Sequence, residues 1–211
     1  MRKHQSWMSR AAVLLIFSAA AICSAQEAQK FTLEALGGVS LPMGSAKDQM
    51  KMGYNVLIGA GWRFTPHIAA LMEFQLDRFS VTSSTLKAYN QPAGFNRFGS
   101  LSLSPRYSVR PAKKLGAYGT AGFGIYGREL AFTDPSQIQT YCDPYNGQGC
   151  QSSSAPIVFS HTNYKGGMDV GGGVTYAPTG NRFKLVTDVR YNRFLSHANN
   201  EFVTVSLGFS Y

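Results

Sequence analysis

Two serine–histidine pairs in this chain carry side chains that acyl-transfer and hydrolytic enzymes use, namely Ser160-His161 and Ser196-His197. A further histidine, His67, follows Pro66 between two apolar segments. A serine nucleophile needs a base within hydrogen-bond reach and a third group that orients the base. Neither pair comes with an acid at a spacing that specifies such an arrangement. We therefore predict solvated loop histidines, no catalytic residues and no enzymatic activity.

The segment from Gly122 to Gly127, GFGIYG, matches the G-x-G-x-x-G pattern of dinucleotide-binding sites. That pattern binds a pyrophosphate only where it follows a strand and opens a helix. Here the glycines lie inside a stretch that alternates like a single strand, where they allow close packing of neighbouring side chains. We predict no dinucleotide site and no cofactor.

Cys142 and Cys150 lie in one polar segment of the chain. In an oxidising compartment two nearby cysteines most simply form a disulfide, which here closes a short loop. Two free thiols are the alternative reading. A zinc site is disfavoured because no histidine pair stands at ligand spacing beside the cysteines, and we predict no metal.

The amino-terminal residues have the order of a secretory signal peptide. Basic Arg2, Lys3 and Arg10 precede an apolar run from Ala11 to Ile22, and small residues lead to Ala25. The run is shorter than the roughly 20 apolar residues of a spanning helix. We predict a cleaved signal peptide over residues 1–25 and a single domain over residues 26–211. Lipid attachment at Cys23 is a minor alternative, since Ile22 stands where a small residue is expected.

The composition limits how much of the surface can face water. Charged residues make up 15% of the chain, against about 25% in soluble domains. Aromatic residues reach 13%, and there are 22 glycines. The net charge of +9 comes from basic residues that are scattered along the chain, without the clustered basic and aromatic stripe of a nucleic-acid-binding surface. We expect no nucleic-acid partner.

Apolar and polar residues alternate with a period of two through most of the mature chain, which predicts eight strands joined by hairpins. The segment Ser100–Val109 is the clearest case. Three short connections contain Pro66, Pro111 and Pro178. The other connections are longer and span residues 41–52, 80–96, 131–163 and 195–200. Short turns at one rim and long loops at the other are typical of outer-membrane barrels, with the turns in the periplasm and the loops outside.

Alternation alone leaves open which face is outward, because a soluble lipocalin-like barrel also alternates. An eight-stranded barrel has an interior just wide enough for side chains to fill. The apolar face carries bulky residues such as Trp62, Phe74, Phe123 and Phe183, which cannot all fit inside. The sequence therefore predicts an all-β, antiparallel up-and-down transmembrane barrel of eight strands, with Trp62 and Phe183 facing lipid.

The predicted lumen face carries charges of both signs. Charges at low dielectric must be paired, so we expect a salt-bridge network that plugs the barrel. A narrow, water-filled path for small ions gated by the same pairs is the alternative. The network is predicted to contain Glu34, Arg63, Glu73, Asp77, Arg106, Arg128, Lys165, Asp169, Lys184, Asp188 and Arg190.

The final segment, from Glu201 to Tyr211, alternates apolar and polar residues and ends on an aromatic residue. It resembles the terminal strand of outer-membrane proteins. Together with the leader and the eight strands, the mature chain resembles the small OmpA/OmpX-like outer-membrane β-barrel family. The resemblance implies that Phe209 and Tyr211 belong to the signal read by the barrel-assembly machinery. The family shares no catalytic motif.

We expect a monomer in contact with outer-membrane lipids, with a structural or adhesion-like surface role. The loop 131–163 either binds an extracellular partner or is hardened against proteolysis by its cysteine pair. A narrow porin-like channel is the second hypothesis. A lipid-modifying enzyme is the third, although His161-Thr162-Asn163 lacks the His-x-Ser pattern of the lipid A deacylase barrel.

Overall fold

Eight long antiparallel strands close into a barrel in the computed structural model of the chain. The structure describes residues 30–109, 114–134, 136, 140–142, 150–152, 157–178, 183–195 and 200–211. The predicted signal peptide, residues 1–25, and Cys23 lie outside these residues. The chain divides into a unit Met1–Phe31, described only at Lys30 and Phe31, and a unit Thr32–Tyr211 that contains the barrel.

The barrel strands follow the chain with one insertion. They are β1 (Phe31–Met43), β2 (Met50–Arg63), β3 (Ile68–Val81), β4 (Ala93–Val109), β5 (Leu115–Thr133), β8 (Ile157–Tyr176), β9 (Lys184–Phe194) and β10 (Asn200–Ser210). Around the barrel the order is β1-β10-β9-β8-β5-β4-β3-β2. Once the insertion is set aside, consecutive strands are neighbours, and β1 pairs with β10 to close the barrel. The predicted fold class is confirmed.

The insertion is a separate two-stranded hairpin between β5 and β8. Its strands are β6 (Thr140–Cys142) and β7 (Cys150–Ser152). Two short helical segments lie in other connections, a 3₁₀ helix over Gly44–Asp48 and helix α1 over Ser83–Ala88. No helix in the described parts of the chain is long and apolar enough to cross a membrane.

The two rims of the barrel differ, and we refer to them as the turn end and the loop end. The turn end carries the β2–β3, β4–β5 and β8–β9 connections. In the first of these, the Thr65 hydroxyl accepts hydrogen bonds from the backbone N–H groups of His67 and Ile68, which closes the turn around Pro66. The loop end carries the 3₁₀ helix, helix α1, the β6–β7 hairpin and the β9–β10 connection.

Several strands run further toward the loop end than the sequence indicates. The predicted loop 131–163 is shorter in the structure, because β5 continues to Thr133 and β8 begins at Ile157. Likewise the predicted loop 80–96 contains α1 and the first residues of β4. A strand that leaves the apolar layer no longer needs one apolar face. Its alternation therefore fades while its backbone hydrogen bonding continues.

The two faces of the wall are separated as predicted. Trp62 and Phe183 are 38% and 60% exposed, and they lie on the outer face together with the other bulky apolar residues of the alternating pattern. The opposite face is buried and includes Glu73, Asp188 and Arg190. The outer face is therefore an apolar surface suited to lipid, and the polar groups fill the inside.

The glycine-rich segment of β5 lies within the strand and does not open a helix. A Cβ atom placed at Gly122 would lie 2.3 Å from Asp169 Oδ2 and 2.6 Å from Ser104 Oγ. Gly122 therefore provides the space that the Asp169 carboxylate occupies. This is a packing role, as expected from the sequence.

Placing an arginine on the outer face tests the assignment of this surface to lipid. Leu103 lies midway along the outer face of β4, whereas Phe64 lies at the turn end. Leu103→Arg should lower the free energy of unfolding by about 2–4 kcal/mol, and the control Phe64→Arg by about 0–1 kcal/mol, because the cost of the charge falls toward the interface. Urea unfolding in phospholipid vesicles measures both values. Equal costs at the two depths would contradict the assignment.

Candidate functional site

The centre of the lumen holds an ion-pair cluster built on two arginines. Arg106 contacts Glu34 at 2.6 Å and Glu73 at 3.2 Å. Arg190 donates to both carboxylate oxygens of Glu73, at 2.5 and 2.9 Å. These four side chains are 0–8% exposed. A buried carboxylate that shares two guanidinium groups in this way is held in one position by charge and by hydrogen-bond direction.

Two aspartates and two tyrosines complete this cluster. Arg190 Nε lies 2.7 Å from Asp188 Oδ1, and its Nη1 lies 3.4 Å from Asp169 Oδ1. The Tyr118 hydroxyl donates to Asp188, and the Tyr126 hydroxyl donates to Asp169 at 2.9 Å. The tyrosines matter because four carboxylates face only two guanidinium groups. Their hydroxyls supply the additional donors that buried acceptors require.

We call these side chains the ionic cluster: Glu34, Glu73, Arg106, Tyr118, Tyr126, Asp169, Asp188 and Arg190. The ionic cluster joins opposite sides of the barrel. Arg190 lies on β9 and Glu73 on β3, and four strand steps separate these two strands in either direction around the wall. Arg106 on β4 reaches Glu34 on β1, three steps away. Side chains from facing walls are therefore in direct contact at this level.

Local sequence determines how the cluster fits. Each of its side chains stands at an inward position of an alternating strand, and small residues stand opposite the largest of them. A Cβ at Gly59 would lie 2.9 Å from Glu34 Cγ, so a glycine is needed beside that carboxylate. The Arg106 guanidinium also lies 4.2 Å from the centre of the Tyr118 ring, a cation–π contact.

A second hydrogen-bond chain, in which hydroxyl and amide groups surround Asp77, lies beside the ionic cluster. The Ser40 hydroxyl and the Gln75 amide donate to Asp77 at 2.6 and 2.8 Å. Asn55 donates to Ser40 at 3.2 Å and accepts from Ser206 at 2.8 Å. Asp77, predicted to belong to the charge network, is therefore bound by hydroxyl and amide groups rather than by an arginine.

The remaining predicted lumen charges lie outside the ionic cluster. Arg63 donates to Thr32 at 3.2 Å at the turn end, where half-buried Lys184 lines the same 40 Å³ cavity. Arg128 lies at the loop end among neutral partners, and Lys165 is exposed. The alternating pattern identifies which face of a strand a residue lies on, but not its depth along the barrel axis. The sequence therefore predicts these four residues in the same network as the charged residues of the ionic cluster.

Four buried phenylalanines form a second layer between the ionic cluster and the loop end. They are Phe79, Phe98, Phe194 and Phe202, each at most 2% exposed. Ring centroids are 5.3 Å apart for Phe79–Phe202 and for Phe98–Phe202. We call these four residues the phenylalanine layer. Phe98 on β4 and Phe202 on β10 lie on opposite strands of the barrel, so this layer also closes the lumen.

The phenylalanine layer is not among the features predicted from the sequence, although the sequence contains a signal for it. Phe79 follows Asp77 by two residues and Phe98 precedes Ser100 by two, so each continues an inward face. The same holds for Phe194 after Asn192 and Phe202 before Thr204. A barrel lumen was expected to be polar. The prediction therefore assigns none of these four residues to the lumen, although all four lie outside the predicted loops 80–96 and 195–200.

A cavity of about 510 Å³ opens above the phenylalanine layer at the loop end, and we call it the mouth cavity. Buried Asn96, Phe194 and Asn200 line its inner part, while exposed Tyr89 and His161 line its outer part. Arg128 lies between them, and its Cζ is 5.8 Å from the centre of the Phe98 ring. The mouth cavity therefore adjoins the phenylalanine layer through Phe194.

The histidines do not assemble a catalytic group in the described residues. His67 Nδ1 lies 2.8 Å from the Ser108 carbonyl oxygen, and the ring stacks on Tyr107. His161 is exposed at the mouth cavity, and Ser196 and His197 lie outside the described residues. Within the same limits, no group of three or more His, Cys, Asp or Glu residues could hold a metal ion.

The predicted cysteine pair and terminal aromatics are at definite places in the fold. Cys142 and Cys150 are direct cross-strand partners in the β6–β7 hairpin, and the positions of their side chains lie outside what the structure describes. Phe209 and Tyr211 are exposed on the outer face at the turn end, where Tyr211 packs edge-on against Phe183.

Comparison with known proteins agrees with this architecture. A family model described as outer membrane protein beta-barrel domain matches residues 10–211. None of the curated proteins matches the chain in sequence.

Solved structures that match this chain share little of its sequence. Neisserial surface protein A is 18% identical with a TM-score of 0.54, over 85% of this chain and 95% of that one. A major outer membrane protein from Thermus thermophilus is 12% identical with a TM-score of 0.51, over 86% and 98%. Ail of Yersinia pestis is 13% identical with a TM-score of 0.46, over 86% and 97%.

Removing one carboxylate from the ionic cluster should be far more costly than removing one from the surface. Glu73→Gln leaves two buried guanidinium groups short of a partner and should lower the free energy of unfolding by about 3–5 kcal/mol. The matched control is Glu129→Gln, which breaks the exposed Arg97–Glu129 pair and should cost less than about 1 kcal/mol. Urea unfolding in vesicles compares them. Equal effects would show that the cluster does not hold the barrel together.

Proposed function

Because the chain belongs to the family of outer membrane protein β-barrel domains, we propose that it is a non-conducting barrel of the bacterial outer membrane with a structural or adhesion-like surface role. The observation that carries this proposal is direct contact between opposite walls at two levels of the lumen. The Glu73–Arg190 pair makes this contact in the ionic cluster, and Phe98–Phe202 makes it in the phenylalanine layer.

The ionic cluster opposes ion passage electrostatically as well as sterically. An ion crossing this level would have to separate Arg190 from Glu73 in a buried environment, where each group already has its hydrogen bonds. Leaving one member of a buried pair without its partner is strongly unfavourable. The pairs therefore act as a fixed plug.

The phenylalanine layer adds an apolar barrier in series with the ionic one. A hydrated ion loses water contacts wherever the path is lined by aromatic rings, and such constrictions gate pores by excluding water. With both barriers present, a channel role has less support than a surface role. This favours a function carried by the loop end.

The loop end is the part of the barrel with the most elaborate structure. It presents helix α1, the β6–β7 hairpin and the long ends of β5 and β8, and we place it outside the cell with the turns in the periplasm. An extracellular partner would meet the connection between β5 and β8, within residues 131–163. Outer-membrane lipids surround the apolar wall, and the barrel-assembly machinery reads Phe209 and Tyr211. The barrel acts as a monomer and carries out no catalysis.

The proposal further includes export through the signal peptide over residues 1–25 and a disulfide between Cys142 and Cys150. Residues directly opposite in antiparallel strands have Cα atoms about 4.5–5.5 Å apart, a separation that a disulfide bridges. The β6–β7 register places the two cysteines in this relation. The crosslink would fix the exposed hairpin and lower the entropy lost when a partner binds.

Thiol alkylation tests the disulfide. Protein exported to the outer membrane should react with iodoacetamide at Cys142 and Cys150 only after reduction, as measured by mass spectrometry of the intact chain. Cys142→Ser should expose one reactive thiol without reduction. Alkylation of both cysteines in unreduced wild-type protein would contradict the crosslink.

Planar-bilayer recording tests the plugged lumen. The purified wild-type barrel should give no sustained unitary currents, because two barriers lie in series. Glu73→Ser/Arg190→Ser and Phe98→Ala/Phe202→Ala each weaken one barrier and should stay closed, whereas the combined variant should conduct. Heat-modifiable gel migration checks that each variant is folded. Sustained currents from the wild type would instead support a narrow channel.

A further inference from the structure

The mouth cavity has the size and shape of a small-molecule site. Its volume of about 510 Å³ falls within the roughly 300–1,000 Å³ of ligand pockets. Exposed residues line its outer part and buried residues its inner part, and the buried ones include Phe194 of the phenylalanine layer. The sequence predicts a plugged lumen and no cavity at this end of the barrel.

Arg128 is the positive charge at the base of the mouth cavity. Its Nε donates to Asn96 Oδ1 at 3.1 Å, Nη1 to Asn200 Oδ1 at 3.1 Å and Nη2 to Gln49 Oε1 at 3.2 Å. All three acceptors are neutral amide oxygens. Among the residues that the structure describes, no carboxylate forms an ion pair with Arg128, whereas Arg106 and Arg190 each bind at least two.

The three amide oxygens hold the guanidinium without neutralising it. A guanidinium has five N–H donors in a fixed plane, and three of them are used here. One hydrogen on each terminal nitrogen is left, and each can donate to an oxygen of a carboxylate or phosphate group. The charge is thus oriented and still available.

Asn96 provides a second, independent indication of a ligand. Its side chain is 1% exposed and lines the mouth cavity, and its Nδ2 group has no hydrogen-bond partner. A buried N–H without an acceptor is costly, so a ligand oxygen that accepts from it would relieve that cost. The unpartnered donor belongs to the residue whose oxygen already holds Arg128.

We propose that the mouth cavity binds a small hydroxylated solute that carries one carboxylate or phosphate group, with its oxyanion on Arg128 and Asn96. The inference rests on the proposed function, in which the plugged lumen gives the cavity a floor. Asp48 and Ser84 also line the cavity and can form hydrogen bonds with hydroxyl groups. The Tyr89 ring supplies an apolar wall for the carbon skeleton.

Calorimetric titration of the folded barrel in detergent at low salt tests this proposal. The probes are glucuronate, glucose 6-phosphate, inorganic phosphate and neutral glucose. At least one of the two charged sugars should bind about tenfold or more tightly than glucose, because charge-assisted hydrogen bonds are the stronger ones. The two sugars distinguish a carboxylate from a phosphate ligand. Binding of inorganic phosphate alone, or equal binding of glucose, would overturn the proposal.

Two variants and a control locate the binding. Arg128→Gln removes the charge and should weaken binding by about tenfold or more. Asn96→Asp places a carboxylate beside Arg128, which neutralises the positive charge of the site and gives the guanidinium an ionic partner. This variant should not bind the charged sugars. Its heat-modifiable gel migration should be the same as that of the wild type. Arg78→Gln, at an exposed arginine on the outer face of β3, should bind as the wild type does.

The outcomes separate this inference from the proposed function. If the folded wild type is closed in planar bilayers and none of the probes binds, the inference is wrong and the plugged barrel stands. If charged sugars bind equally well to wild type, Arg128→Gln and Asn96→Asp, the site is not at Arg128 and the inference is also wrong. Sustained wild-type currents would refute the plugged lumen instead, whatever the titration shows.

Discussion

Pairing of buried charge across the lumen is the interaction on which the rest of this structure depends. Arg106 and Arg190 bind four carboxylates inside a tube only eight strands in circumference. Because the Glu73–Arg190 pair joins strands on opposite sides, the cluster links walls that share no backbone hydrogen bonds. Ladder hydrogen bonds close the barrel around its circumference, and the ion pairs fill and brace its interior.

This arrangement divides the molecule into two environments with different requirements. The outer face needs apolar surface alone, and many residue combinations satisfy it. The inner face needs particular partners at particular depths, since each buried donor or acceptor must meet its counterpart. Glycines such as Gly59 and Gly122 are needed on the inner face, because they leave the space that the side chains of Glu34 and Asp169 occupy.

The position of an arginine along the barrel axis also determines whether its charge is used in ion pairs or remains available to a solute. In the ionic cluster, Arg190 is saturated by carboxylates. Arg128 is the cross-strand partner of Phe98, and its guanidinium extends toward the loop end, where its hydrogen bonds are to amide oxygens. The same residue type on the same inner face therefore braces the barrel at one level and presents a charge to solutes at another. The phenylalanine layer separates these two roles.

The sequence by itself determined the eight-stranded barrel, its two faces and the outward position of residues such as Trp62 and Phe183. Those features follow from a period of two and from the volume of a narrow lumen. Only the tertiary structure decided which inward charges meet, because pairs such as Glu73–Arg190 depend on strand stagger and closure. For the same reason alternation could not distinguish Arg128 from Arg190: it records the face of a residue but not its height.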